Sequence, residues 1–272
     1  MENKKVLSQG AEGKIYITTF LDKKCLVKER FVKEYRVKEL DTKLTKSRIL
    51  NESRNISRAS ILGINVPTIY FIDLLERKIY MEYIENGCQL KEILSYIFEL
   101  KDLNPYEELL KKIINDLGNI ISKLHSNDIV HGDLTPSNII IKKKVNNNNN
   151  ENEDDLNSGK NLIINEKNYD YMYLIDFGLS SKTTSNQSGI EDKAVDLYVL
   201  KRAMISNNPK SEEVFEKIIN IYAKNCVNGE KIIEHYKKVE MRGRKRIAFG
   251  WKIKNLIFIL FYIKNINKHF FI

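Results

Sequence analysis

The 272-residue sequence predicts an α+β protein in which a small β-rich half with one main helix precedes a larger helical half. Two observations carry this prediction. Runs of β-branched and aromatic residues, which are typical of strands, alternate with turn residues as far as Tyr83. Beyond Gly87, apolar residues recur at the i, i+3, i+4, i+7 spacing of amphipathic helices.

The first half predicts a sheet that is interrupted by one long helix. Four strands are expected, over residues 14–20, 24–30, 66–73 and 78–83. Asp22 lies between the first two runs and favours a hairpin. The helical pattern runs from Asp41 to Leu62, and Gly63 follows it at the position where glycine commonly ends a helix.

The second half predicts helices over 90–100 and from Pro105 to Leu124, with the proline at a position that suits a first helical turn. The polar run from Lys142 to Asn168 contains five consecutive asparagines and predicts a disordered insertion over about 143–168. We expect the two halves to span 1–83 and 84–246, followed by a C-terminal extension over 247–272.

The N-terminus, the cysteines and the hydropathy exclude several classes of protein. The N-terminus is charged and lacks the apolar core of a signal peptide. Cys25, Cys88 and Cys226 form no C-x-x-C pair, so neither a disulfide framework nor a zinc site is expected. The most apolar window, Leu256 to Ile263, is shorter than the about 20 residues that a membrane span needs. We therefore expect a protein of the cytoplasm and nucleus that is not integral to a membrane.

The net charge of +9, from 45 basic and 36 acidic residues, is compatible with an anionic partner such as a nucleotide, a nucleic acid or a membrane surface. A composition rich in lysine and asparagine explains the same charge without any partner. Both explanations stay open until the motifs are considered.

The sharpest motif is a loop that contains Asp133 and Asn138. It has the sequence HGDLTPSN at 131–138 and follows a predicted helix. An aspartate five residues before an asparagine is the spacing at which phosphoryl-transfer enzymes orient the nucleophile and hold magnesium. The loop therefore predicts Asp133 as the base or water-positioning group and Asn138 as a Mg²⁺ ligand.

A second motif, Asp176-Phe177-Gly178, follows the strand-like run 173–175 downstream of that loop. A strand that ends there delivers a carboxylate to the metal side of the nucleotide phosphates. Mg²⁺ prefers one or two carboxylates together with phosphate oxygens. The order of the two motifs therefore predicts Asp176 as a further Mg²⁺ ligand, with ATP supplying phosphate oxygens.

Two weaker patterns lie in the first half. Lys28 near the end of a predicted strand and Glu52 in the following helix can form the ion pair that holds a lysine on the α and β phosphates of ATP. Two glycines let the backbone approach a phosphate within the run Gln9, Gly10, Ala11, Glu12 and Gly13. Each pattern alone is more typical of surface charges or of an ordinary turn, but their order before the two loop motifs predicts an ATP site.

At these residues the chain resembles the protein kinase superfamily over roughly 6–246, and more closely the small atypical kinases of the KEOPS/EKC complex, the PRPK family. The matching segments are QGAEG at 9–13, VKERF and EYR within 27–36, HGDLTPSN at 131–138, LIDFGLS at 174–180, EDKAVDLYVL at 191–200 and EMRGRKR at 240–246. The last two are specific to this family.

The resemblance implies a bilobal protein-kinase-like fold with a minimal helical C-lobe. It implies ATP hydrolysis or autophosphorylation with Mg²⁺, in support of threonylcarbamoyladenosine formation in tRNA. The expected partners are the threonylcarbamoyl-transferase subunit and the other KEOPS subunits. The residues expected to meet adenine at the hinge are Met81, Glu82, Tyr83 and Ile84. The basic residues expected to contact the partner or tRNA from a mobile tail are Arg242, Arg244, Lys245 and Arg246.

Three departures from ordinary protein kinases bear on the phosphate acceptor. Gly132 stands where the catalytic loop usually has an arginine, and Thr135 stands where it usually has a lysine that steadies the transferred phosphate. Only 17 residues separate Gly178 from Asp196, and no A-P-E triplet occurs among them. A seat for a peptide substrate is therefore largely missing, which favours nucleotide hydrolysis or self-modification within an assembly.

Two other functions stay open. A small-molecule phosphotransferase that resembles aminoglycoside or choline kinases also uses an H-G-D loop, although those enzymes have a larger helical half. A scaffold or tRNA-binding subunit with a vestigial site would commonly have lost one of the residues Lys28, Glu52, Asp133, Asn138 and Asp176. For residues 251–272, a partner- or membrane-binding segment, an extra helix and unselected sequence all stay open.

Overall fold

The computed structural model describes residues 5–10, 13–144, 158–184 and 186–243. Its first half is a five-stranded antiparallel sheet with the order β1-β2-β3-β5-β4. The strands are β1 (Lys5–Gln9), β2 (Gly13–Phe20), β3 (Lys23–Arg30), β4 (Ile69–Asp73) and β5 (Lys78–Glu82). The four predicted strands are confirmed, and β1 adds an edge strand that leads into the glycine-rich segment.

One long helix, α1 (Lys38–Ile61), follows β3 along the chain. Asp41 lies in its first turn, so the helix begins slightly earlier than predicted. Gly63 follows its end at a φ of +70°, a left-handed conformation that glycine adopts without strain. The buried side of α1 contains the polar Glu52 and Asn55 as well as apolar residues, so this helix carries charge into the interior.

The second half consists of helices around a small three-stranded sheet. The helices are α2 (Leu90–Glu99), α3 (Glu107–Ser126), α4 (Ser158–Glu166), α5 (Gln187–Asn207), α6 (Ser211–Asn225) and α7, which covers 229–243. The sheet has β8 (Ile139–Lys142) between β6 (Gly87–Gln89) and β9 (Tyr171–Leu174), and β7 (Ile129–Val130) pairs with β10 (Ser181–Lys182). Pro105 opens a short 3-10 helix, Asn104–Tyr106, rather than α3 itself.

The largest group of buried apolar side chains lies in this helical half, where α3 packs against α6. Ile113, Leu117 and Ile121 of α3 are fully buried there, as are Ile218 and Tyr222 of α6. The sheet of the first half has two smaller apolar clusters. The loops that carry the candidate site are therefore mounted on the larger core.

The prediction of a disordered insertion over about 143–168 is wrong for part of this range. Residues 158–166 form α4, although the whole run to 168 was predicted to be disordered. Ile163 and Ile164 are buried, and Ser158 Oγ donates to Asn86 Oδ1 at 3.1 Å. These two buried isoleucines anchor this short helix in spite of its polar surroundings. Residues 145–157 lie outside the described part.

Within the described part of the chain, no helix combines the length and the apolar composition needed to cross a bilayer. The apolar window from Leu256 to Ile263 lies outside that part. The boundary between the halves at 83 and 84 stays a prediction.

Candidate active site

β3 and α1 bring a lysine together with a buried glutamate. Lys28 lies opposite Ile15 of β2 and Ile79 of β5, and its Nζ donates to Glu52 Oε1 at 2.7 Å. Glu52 is only 1% exposed, so its charge needs partners within the fold. A second partner is Arg30, two residues later on the same face of β3, whose Nη2 donates to Glu52 Oε2 at 2.6 Å.

Asp176 completes this group of charges from the other half of the molecule. It follows β9 at a left-handed φ of 59°, and its Oδ1 accepts from Lys28 Nζ at 2.5 Å and from the Gly178 N–H at 3.2 Å. We call Lys28, Arg30, Glu52 and Asp176 the ion-pair group.

Contacts within the ion-pair group shift the pKa values of Lys28 and Asp176. Burial acts to lower the pKa of Lys28, but the carboxylates of Glu52 and Asp176 outweigh burial and raise that pKa above its ordinary value. Burial acts to raise the pKa of Asp176, but Lys28 outweighs it and lowers that pKa below its ordinary value. Both side chains are therefore charged at neutral pH.

The loop of residues 131–138 lies between β7 and β8, and we call it the catalytic loop after its HGDLTPSN motif. The amide nitrogen of Asn138 donates to both the main-chain oxygen and the Oδ2 of Asp133, at 2.9 Å each. Because both bonds use the amide nitrogen, the amide oxygen of Asn138 is the atom that can serve as a metal ligand. Ile175, directly before Asp176, donates its N–H to the main-chain oxygen of Asn138 at 3.0 Å and so joins the loop to the ion-pair group.

A buried carboxylate that the sequence analysis did not assign, Asp196 of α5, holds the catalytic loop. Its oxygens accept from the main-chain N–H groups of His131 at 2.6 Å and Gly132 at 2.9 Å, and from His125 Nε2 at 3.3 Å. The signal in the sequence was an aspartate on an otherwise apolar stretch of the segment EDKAVDLYVL.

His131 ties the catalytic loop to the Asp176-Phe177-Gly178 turn. Burial lowers the pKa of His131, which keeps the ring neutral. Its Nε2 donates to Ile175 O at 3.1 Å, while its Nδ1 accepts from the Asp133 N–H at 3.4 Å. The ring also packs against Phe177, with 4.8 Å between the ring centroids. The two motifs that the sequence analysis treated separately are thus one structural unit.

The glycine-rich segment is described at its two ends. Gln9 is the last residue of β1, and the Gly10 N–H donates to Gly13 O at 3.0 Å. A Cβ at Gly13 would lie 2.0 Å from Glu29 O, so only glycine fits beside β3 there. Ala11 and Glu12 lie outside the described residues.

The predicted hinge follows β5. Met81 and Glu82 are the last residues of that strand, and Tyr83 and Ile84 come directly after it. The Glu82 N–H donates to Thr68 O at 2.8 Å, and the Glu82 carboxylate accepts from the Thr68 N–H at 3.1 Å. The strand end is therefore fixed by the segment that leads into β4.

The prediction of a mobile basic tail is wrong for Arg242. This residue lies in α7 and donates to Glu191 of α5, which also bonds His235 at 3.4 Å. Apolar side chains at helical spacing fix α7: Ile232, Tyr236 and Val239 are buried. Arg244, Lys245 and Arg246 lie outside the described residues.

The donor set at this site fits a Mg²⁺ ion that is bound with a nucleotide. Asp176 offers a carboxylate and Asn138 an amide oxygen, both hard oxygen donors of the kind that Mg²⁺ prefers. In the described residues, no group of three or more His, Cys, Asp or Glu side chains is placed to hold a metal ion. A nucleotide-bound Mg²⁺ needs no such group, because phosphate oxygens and water supply its other ligands.

Sequence comparison gives the relatives of this chain. The profile of the family described as protein kinase domain matches residues 1–214. The EKC/KEOPS complex subunit bud32 of Dictyostelium discoideum is 37% identical over 245 residues, covering 90% of this chain and 84% of the relative. The KEOPS complex subunit Bud32 of Pyrococcus abyssi is 38% identical over 251 residues, covering 89% and 96%. The EKC/KEOPS complex subunit Tp53rkb of Mus musculus is 30% identical over 246 residues, covering 90% and 88%.

Solved structures share the fold. WaaP in complex with acyl carrier protein matches with a TM-score of 0.56 at 13% identity, covering 90% of this chain and 89% of that one. The Rio2 kinase–ADP/Mg²⁺–phosphoaspartate complex from Chaetomium thermophilum matches with a TM-score of 0.50 at 13% identity, covering 89% and 72%. At this identity the likeness shows the fold alone, and it confirms the predicted bilobal protein-kinase-like fold.

The family profile and the relatives agree with each other and with the motifs. The profile spans most of the sequence, and the relatives are aligned along about nine-tenths of it. The predicted resemblance is confirmed: this chain belongs to the protein kinase superfamily and, within it, to the family of the KEOPS complex subunit Bud32.

Proposed function

We propose that this protein is an ATP-dependent atypical serine/threonine kinase or ATPase subunit of a KEOPS complex that supports threonylcarbamoyladenosine modification of tRNA. The observation that carries the proposal is the contact of Lys28 with both Glu52 and Asp176, at 2.7 and 2.5 Å. It joins a phosphate-binding cation, its positioning carboxylate and a metal-binding carboxylate in one place. The assembly is inferred from the relatives, which are KEOPS complex subunits.

Each side chain of the site has a role that its contacts allow. Lys28 is charged and held by two carboxylates, which suits it to the α and β phosphates of ATP. Asp176 and Asn138 would hold Mg²⁺, which when bound neutralises charge on the phosphates. Asp133 is fixed through Asn138 and is the group that orients the attacking hydroxyl or water.

The adenine ring would lie along the hinge, residues 81–84. The Glu82 N–H already donates to Thr68 O, so other main-chain groups of residues 82–84 would form the hydrogen bonds to the edge of the adenine base. Met81 and Ile84 are buried and offer apolar surface beside them.

The short segment between Gly178 and Asp196 favours water or the protein itself as the phosphate acceptor. Gly132 has a φ of +82°, and a Cβ there would lie 2.3 Å from Leu179 O. The chain therefore passes directly over the position where ordinary kinases carry an arginine. Farther on, a Cβ at Gly189 would lie 1.7 Å from the main-chain oxygen of residue 184, so this segment is also pressed against α5.

The partners belong to the same proposal. The threonylcarbamoyl-transferase subunit and other KEOPS subunits are the proposed neighbours, with tRNA contacted indirectly. Since Arg242 pairs with Glu191, the residues best suited to tRNA phosphates are Arg244, Lys245 and Arg246. Such contacts weaken as salt rises. Residence in the cytoplasm and nucleus stays a prediction.

Phosphate release from ATP tests the proposed function. The full chain is assayed with Mg²⁺, both alone and with the other KEOPS subunits and tRNA. Asp133→Asn and Asp176→Asn are each expected to lower turnover by at least about 100-fold, because one removes the group that orients the nucleophile and the other a metal ligand.

The matched control is Asp192→Asn, an exposed aspartate of α5 that contacts only Thr183, at 3.3 Å, among the contacts described for it. This variant is expected to turn over ATP as the wild type does. Wild-type turnover in Asp133→Asn or Asp176→Asn would refute the assignment, and so would a wild-type protein that is inactive alone and in the complex.

A further inference from the structure

Arg30 is a second cation in the candidate site. The sequence analysis gave it no role, although it lies in the segment VKERF. Its Nη2 donates to Glu52 Oε2 at 2.6 Å, and its side chain is 11% exposed. Its Nε is buried and has no hydrogen-bond partner among the described residues. A buried donor without an acceptor is costly, so this atom is available to an acceptor that the described residues do not supply.

Arg30 lies beside the residues proposed to bind the nucleotide phosphates and Mg²⁺. A Cβ built on Gly178 would lie 3.2 Å from Arg30 Nη2, 3.4 Å from Lys28 Nζ and 3.0 Å from Asp176 Oδ1. The guanidinium, the ammonium and the proposed metal-binding carboxylate therefore converge around one point.

The register of the sheet places Arg30 under the glycine-rich segment. Arg30 of β3 is the direct partner of Gly13 of β2, the second glycine of that segment. Lys28, two residues earlier on the same face, lies opposite Ile15 and therefore farther from the segment's turn. A nucleotide that extends its phosphates from the hinge towards the glycines would pass Lys28 first and reach Arg30 with its terminal phosphate.

The ion-pair group is neutral as it stands, with two carboxylates and two cations, and would have an excess of positive charge once Asp176 binds a metal ion. Glu52 is one buried carboxylate with two cations, Lys28 and Arg30, bonded to different oxygens. The remaining carboxylate, Asp176, is 41% exposed and is the proposed metal ligand. The catalytic loop offers no cation for the transferred phosphate, because Thr135 stands in place of the usual lysine.

We propose that Arg30 binds the terminal phosphate of ATP, so that the cation which ordinary kinases place on the catalytic loop comes instead from β3. This inference rests on the proposed function, since it deepens the recognition of ATP at the same site. With Nη2 on Glu52, the free Nε–H of Arg30 is directed by a fixed planar fork, which suits a phosphate oxygen. The protein would then distinguish a triphosphate from a diphosphate.

Titration calorimetry with two Mg²⁺-bound ligands, ADP and a non-hydrolysable ATP analogue, tests this inference on the full chain. The wild type is expected to bind the triphosphate analogue more tightly than ADP. Arg30→Gln is expected to weaken binding of the analogue roughly 10- to 100-fold, the value of a hydrogen bond to a charged group, and to leave ADP binding little changed. Arg30→Lys keeps the charge and is expected to retain part of the preference.

Arg77→Gln is the matched control. Arg77 also pairs with a buried carboxylate, Asp41, at 2.6 Å between Nη1 and Oδ2, and its side chain is 15% exposed. This pair lies at the start of α1 and outside the ion-pair group. Both nucleotides are expected to bind the control as they bind the wild type.

Two results would overturn the inference. If Arg30→Gln weakens ADP and the analogue equally, Arg30 only positions Glu52 and Lys28, and the proposed function survives without it. If the wild type binds neither nucleotide, the proposed function fails together with the inference. Should Arg30→Gln not fold, Arg30→Lys decides: a preference for the analogue that equals that of the wild type would also refute the proposal.

Discussion

The two sides of the candidate site are stabilised in different ways. The ion-pair group is built from side-chain charges, and one member, Asp176, is 41% exposed. The catalytic loop is held through its main chain by Asp196, a carboxylate that is 1% exposed. Main-chain bonds to a buried acceptor fix geometry before any ligand arrives, whereas partly exposed side-chain pairs can exchange partners. Under the proposed function, the rigid loop would position the nucleophile and the adjustable charges would bind the phosphates.

The largest expected effect comes from breaking the rigid side. Asp196→Ala is expected to lower the free energy of unfolding by about 3–5 kcal/mol, because two buried N–H groups and His125 lose their acceptor. ATP turnover should be lost as well. Urea unfolding measures the first effect, with Asp192→Ala on the exposed side of α5 as the control. A loss no larger than that of the control would contradict the role given to Asp196.

Breaking the adjustable side should affect activity far more than stability. Lys28→Met is expected to reduce ATP turnover by at least about 100-fold, since a positioned phosphate cation is lost. Its free energy of unfolding should fall by only about 1–2 kcal/mol, because Arg30 still pairs with the buried Glu52. The same urea and phosphate-release assays measure both effects. If this variant unfolds as easily as Asp196→Ala, the two sides do not differ in the way described.

A substitution at Gly132 tests how rigidly the main chain of the catalytic loop is held. Gly132→Ala is expected to lower the free energy of unfolding by about 1–3 kcal/mol, because a Cβ at a φ of +82° also meets Leu179 O. Gly10→Ala is the control, since a Cβ there meets no atom within 4 Å. Thermal unfolding of the two variants measures the difference. Equal melting temperatures would show that the loop tolerates movement.

The smallest expected effect is on the pH dependence of stability. The pKa of Lys28 is raised in the fold above its ordinary 10.5, so its contribution is complete below pH 10.5 and is lost as pH rises through the folded pKa. The pKa of Asp176 is lowered below its ordinary 3.8, so its contribution is present above pH 3.8 and is lost as pH falls through the folded pKa.

The sign of the Lys28 effect can be checked directly. Urea unfolding above pH 10.5 should show a smaller decline in the free energy of unfolding for Lys28→Met than for the wild type. Lys46→Met, at an exposed position of α1, should decline as the wild type does. An identical decline in all three proteins would contradict the contribution assigned to Lys28.

The catalytic loop could be predicted from the sequence because its chemistry is local. Asp133 and Asn138 are five residues apart, and the Asn138 amide reaches the Asp133 carboxylate across that spacing. The anchor of the loop could not be predicted in this way. Asp196 lies 64 positions from Gly132. The apolar residues around it in α5 indicate that it is buried, but they do not show which groups it accepts hydrogen bonds from.

Three other features were not predicted from the sequence, for related reasons: the role of Arg30 and the helices α4 and α7. Arg30 stands in a strand rich in charges, where only the sheet register and the position of α1 show that it meets Glu52. α4 has two buried isoleucines among polar residues, and α7 has three buried residues at helical spacing, so the apolar pattern of each helix is short. In each case the deciding partner is distant in sequence, so burial could be assigned only once the fold was known.

The central claim is that the two sides meet in one site for a Mg²⁺-bound nucleotide. The most direct test is the rise in melting temperature that Mg²⁺ and ATP cause in the wild type, in Lys28→Met and in Asp176→Asn, since a ligand that binds only the folded state stabilises it. We predict a rise in the wild type that both variants lose or largely lose. A full rise in either variant, or none in the wild type, would contradict the account.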